Sequence, residues 1–195
     1  MNSTDLQTQI LTAARAHLSA RTGWDEMPEL LVIKRHGDTG LSVRPLPISP
    51  LLWEFFSPNE VIVASARATR TKTIAAEADT VALALRVEGF AITPGTSPEA
   101  DEALRRIAGG STPSIKDIPG RIEQRWLHAV DRYGQQYLVT ADRQSDGSAG
   151  PAVGRALDGG QQFLGVIQKA LDVFCRTVWP RSAAAAPLRR TGERP

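Results

Sequence analysis

One stretch constrains the fold more than any other. Thr80–Thr93 reads TVALALRVEGFAIT, the only run patterned as a strand buried for most of its length. Val81, Leu83, Leu85 and Val87 fall on one face, and Ala82, Ala84, Arg86 and Glu88 on the other. The second face begins small and apolar and ends charged. The pattern predicts a strand covered on both sides in its first half and emerging in its second.

The segments around it predict what covers it. Leu6, Ile10, Ala13, Ala14 and Leu18 recur at helical spacing within residues 3–20, with Ser3 or Thr4 as cap and Asp5 in the first turn. Residues 29–36 and 41–48 read as two strands joined by His36-Gly37-Asp38-Thr39-Gly40, a polar turn. Pro45 and Pro47 cannot donate to a ladder, so the second strand belongs at an edge or ends early. Leu51, Leu52, Trp53, Phe55 and Phe56 form the densest apolar cluster and predict a short helical turn. Ser57-Pro58-Asn59-Glu60 then sets up a capping box for a helix running to Ala68, with continuation to Ala78 or a break at Thr69–Thr73 as alternatives.

After the central strand, Ser97 caps a helix over 98–108. RIEQRWLHAVDRYGQQYLVTADR reads as a strand, a turn at Asp131-Arg132-Tyr133-Gly134 and a second strand. Residues 144–160 are rich in Gly and Ser and read as a loop. Residues 161–178 carry Phe163, Leu164, Ile167, Ala170, Leu171, Phe174 and Val178, a strongly amphipathic helix stopped by Pro180.

These elements predict an α+β fold: a single antiparallel sheet of about five strands with helices packed mainly on one face. Residues 1–180 make one domain, and 181–195 a disordered Ala- and Arg-rich tail. The order of segments resembles a family of small uncharacterised actinobacterial α+β proteins. Gly23-Trp24-Asp25, Arg44-Pro45-Leu46-Pro47, Glu88-Gly89-Phe90 and Ala129-Val130-Asp131-Arg132-Tyr133-Gly134 carry the resemblance, which spans roughly residues 20–143. It implies a compact α+β fold and brings no catalytic residue with it.

Charge and motif content limit the chemistry. The tail holds Arg181, Arg189, Arg190 and Arg194 against Glu193, so the net charge of +2 comes from the tail. The domain itself has no basic excess, and nucleic acid is not its expected partner. The chain contains no GxxxxGK[ST], GxSxG, HExxH or GxGxxG signature. Three isolated histidines, His17, His36 and His128, and one cysteine, Cys175, build no metal site by spacing, so neither metal nor cofactor is expected. The lone cysteine fits a reducing cytoplasm, and no run is long and apolar enough to span a membrane.

Two candidate sites follow. Glu88, Glu123, Arg125 and His128, with Asp131 and Asp142, lie on or beside strands of one sheet, where Glu88 or His128 would serve as a general base. A solvated sheet face with Glu88 and Arg125 paired across strands explains the same residues, at up to about 1 kcal/mol for the pair. The second candidate is an interface: Trp53, Phe55, Phe56, Phe163, Ile167 and Phe174 exceed the apolar surface that such a sheet needs. With no catalytic signature, the leading expectation is a non-enzymatic domain that binds a protein partner or itself. A small-ligand-binding domain or small enzyme built on Glu88, Arg125 and His128 is the alternative, and weak nucleic-acid binding by the tail comes third.

Overall fold

The computed structural model describes residues 3–37, 40–71, 79–111, 113–157 and 166–179. The expected tail, Phe163 and any extension of the third helix to Ala78 lie outside the described residues.

Six strands form one antiparallel sheet: β1 (Glu29–Arg35), β2 (Leu41–Pro45), β3 (Thr80–Ala91), β4 (Ile122–Asp131), β5 (Gln136–Asp142) and β6 (Val153–Leu157), in the order β2-β1-β3-β4-β5-β6. β3 sits inside the sheet with β1 and β4 beside it. β2 is an edge, and ends at Pro45 as proline requires. The sixth strand falls where a loop was expected. Val153–Leu157 contains a glycine and little apolar alternation, so it is recruited by pairing with β5 rather than by its own pattern. Gly154 fits because a Cβ there would stand 2.9 Å from Val139 and 3.2 Å from Leu11.

Helices cover both faces. α3 (Pro58–Thr71) and α5 (Val166–Val178) pack together on one face, over Leu30, Val32, Leu83, Leu85 and Val130. α1 (Ser3–Ser19) lies on the other, where Leu6, Ile10, Ala14 and Leu18 meet Ala82, Ala84, Leu127, Ala129 and Val139. The alanines of β3 are what α1 requires: small side chains let a helix approach the sheet closely. α4 (Pro98–Ala108) closes a small separate cluster of Ala100, Ala103 and Ile118. Its Ser97 cap accepts a hydrogen bond from the Ala100 amide at 3.1 Å. Ser57 and Glu60 close the start of α3, the serine amide donating to the Glu60 carboxylate at 2.9 Å.

α2 (Pro50–Phe55) differs from all of these. It has no buried residue and no side-chain cap at Ser49.

Candidate functional site

The apolar cover supplied by α1 stops at Leu18, near the middle of the sheet. Beyond it the α1 face of β3 and β4 turns polar, with Arg86, Glu88 and Arg125 projecting where alanines stood before. The chain following α1 folds back over these residues, so they are enclosed. Arg86 retains 1% exposure, and Arg125 is fully buried. A solvated sheet face is therefore not what the charged end of β3 becomes.

Three arginines and three glutamates interlock here. Glu88 and Arg125 are register partners, 2.7 Å apart. Arg86 reaches Glu88 at 3.3 Å, Glu29 at 3.1 Å and Glu26 at 3.2 Å. Arg21 completes the set with Glu29 at 2.6 Å and Glu26 at 3.1 Å. Burying charge costs free energy unless it is paired and hydrogen-bonded, and both conditions hold.

The same side chains hold down the loop of residues 20–28. Arg125 donates to the carbonyls of Arg21, at 3.2 Å, and Gly23. Arg86 donates to the carbonyl of Met27 at 2.5 Å, and the Glu26 amide donates to Glu88 at 3.1 Å. A loop covering a sheet must find partners for its backbone polar groups, and the buried arginines provide them. Asp25, at φ 63, takes the left-handed conformation at the loop's tip. Trp24 lies between two guanidiniums, 4.7 Å from Arg125 and 5.5 Å from Arg143. Glu123 enters through Arg143, its partner at 2.9 Å.

Glu88, Glu123 and Arg125 thus belong to one network, and His128 does not. Residue 128 is an odd number of positions from 125, so its side chain points to the opposite face. There it is fully buried, with Nε2 3.3 Å from Gln136 Oε1. Gln168 of α5 donates to that same oxygen. Burial pulls the His128 pKa down to about 4, so the ring is neutral near pH 7. Asp142 shares the His128 side, accepting from Gln124 at 2.6 Å, while Asp131 accepts from the Tyr133 and Gln135 amides and from the Tyr137 hydroxyl to order the β4–β5 turn. Burial, then that hydrogen bond, pushes the Tyr137 pKa up. The expected polar pocket of Glu88, Arg125 and His128 is divided between the two faces of the sheet.

Two members escaped the sequence reading. Arg21 and Glu26 lie in an irregular loop, and no periodicity marks them. Glu29 was legible as a strand start, with no signal that it faces Arg86. His17 stands 3.8 Å from Glu29, and burial, with Arg21 beside it, holds its pKa below the usual histidine value.

The apolar candidates separate as well. Phe174 is 2% exposed and sits in the core under α3, which corrects its assignment to an interface; Ile167 packs against the same core. On α2, Phe55 is 76% exposed and Leu51 59%, and Phe56, the residue after the helix, is 50% exposed. Trp53 is half-buried and forms one wall of a cleft of about 370 Å³ between α2, the start of β1 and the chain after β2. Leu46 and Ile48 line the same cleft, and so do Arg21, Glu26, Glu29 and Arg86.

Among the described residues no group of three His, Cys, Asp or Glu is placed to hold a metal ion, and no helix is long and apolar enough to cross a membrane. No protein-family model, curated protein or solved structure matches this chain.

Proposed function

We propose that this chain is a binding protein that engages another protein chain through α2. One observation carries the reading. α2 presents Leu51 and Phe55 to solvent, with Phe56 exposed just past its end, while burying none of its own residues. An ordinary surface helix turns its apolar side inward. A helix of this composition that contributes so little to its own core is explained by a surface that completes it. Exposed aromatics beside a cleft have the composition of interface centres, where Trp, Tyr and Phe are enriched. The ion cluster then has a supporting role: it fixes the loop of residues 20–28, and with it one wall of the cleft next to α2.

The occupant is a partner protein or a second copy of the chain. The pair Phe55→Ser and Phe56→Ser tests the reading, because removing exposed side chains leaves the monomer fold intact within about 0.5 kcal/mol each. Wild type should sediment as a concentration-dependent dimer, or retain a specific protein from its source cells that the double variant fails to retain. A wild type that stays monomeric throughout and retains the same proteins as the double variant would contradict the proposal.

A further inference from the structure

The cleft beside α2 has a chemistry of its own, set by how its charges are layered. Arg86 lines the cleft but is buried, at 1% exposure. The charged side chains reaching the surface are Arg21 at 28%, Glu26 at 28% and Glu29 at 24%. Two carboxylates and one guanidinium therefore face an incoming ligand, although the cluster as a whole is balanced. Glu26 Oε2 is shared between Arg21 and Arg86, while its Oε1 accepts no hydrogen bond among the described residues. Burial, with Arg21 beside it, lowers the pKa of His17, which stands 3.8 Å from Glu29.

The lining also has an apolar part that includes Leu46, Ile48 and Trp53. The face of an indole ring is electron-rich and attracts cations. About 370 Å³ is within the range of small-ligand sites, roughly 300–1,000 Å³. We propose that this cleft binds an organic cation with an apolar body. Its ammonium or guanidinium group meets Glu26, with Glu29 behind, and its hydrocarbon part lies along Trp53, Leu46 and Ile48. An organic anion of the same shape is rejected, because Glu26 and Glu29 are partly exposed in the cleft while Arg86 is buried. This site is independent of whether α2 docks a protein: it needs the cleft alone.

Two sources could supply such a group, a free amine or a basic side chain of a peptide. Calorimetric titration of the full chain with 4-phenylbutylamine and with 4-phenylbutyrate tests the chemistry, since the two share a shape and differ in charge. The amine should bind at least about tenfold more tightly than the acid, a difference of about 1.4 kcal/mol. Glu26→Gln and Trp53→Leu, one at a charged and one at an apolar lining residue, should each weaken the amine by about fivefold or more with circular dichroism unchanged. If one variant fails to fold, the other variant and the amine-to-acid ratio still decide. Equal binding of amine and acid, or no heat from either at about 10 mM, would overturn the proposal. A third titration, with the peptide acetyl-Leu-Lys-Leu amide, distinguishes the sources: tighter binding than the amine assigns the site to a protein side chain, and weaker binding to a small amine.

Discussion

Glu88→Gln is the perturbation that tests most sharply whether the buried ion cluster holds the fold together. Glu88 Oε1 accepts from Arg125 Nε at 2.8 Å and from Arg86 at 3.3 Å. Arg86 keeps Glu26 and Glu29 after the substitution. Arg125, fully buried, loses its carboxylate partner and retains two carbonyls and the face of Trp24. Unit charges about 4 Å apart at an effective dielectric near 20 interact by about 4 kcal/mol. Deleting one partner of a buried pair costs about 3–5 kcal/mol. Glutamine still accepts hydrogen bonds, which places the loss at the lower end, about 3 kcal/mol. At a urea slope near 2 kcal/mol/M, the midpoint should fall by about 1.5 M. Glu102→Gln is the control, because its pair with Arg105 is exposed and should shift stability by less than about 0.5 kcal/mol. The Glu26 amide, bonded to Glu88, should also exchange with solvent faster. A Glu88→Gln midpoint no lower than that of Glu102→Gln would refute the reasoning.

Two other perturbations address the opposite face. The His128 pKa is depressed to about 4 in the fold against 6.5 unfolded, so as pH falls below 6.5 the unfolded chain takes up a proton that the folded chain refuses. Stability should therefore drop by about 2 kcal/mol between pH 7 and pH 5 from this group, and His128→Gln should remove that part of the slope in urea titrations at the two pH values. Gly89→Ala should cost about 1–3 kcal/mol, since its Cβ would stand 2.8 Å from the Trp126 ring. Thermal unfolding checks the size, and an unchanged melting temperature would mean the ring moves aside freely.

The fold was largely legible, and the reason is periodicity. The alternation of β3 and the helical spacing of α1 and α5 are long-range patterns that survive without neighbours. β6 carried no such pattern, because its place depends on the edge that β5 offers. The candidate site was legible in part. The Glu88–Arg125 pairing followed from two strands facing one another, and the exposed aromatics of α2 were visible as a dense apolar run. The fate of that pair was not: burial came from a loop whose backbone needed donors, and loops have no period. His128 was grouped with Arg125 although the two-residue repeat of a strand already sets them on opposite faces. Phe174 and Phe55 look alike in sequence and differ in what covers them, α5 burying Phe174 in the core while α2 reaches that core only through the half-buried Trp53.

The measurement bearing most directly on a binding role for α2 is photo-crosslinking in the source cells with a benzophenone amino acid at position 55. A second probe at the exposed Glu102 of α4 serves as reference. The account predicts one discrete adduct from position 55, with a partner protein or a second copy, and none of that mass from position 102. Identical patterns from both positions, or no adduct from position 55, would contradict it.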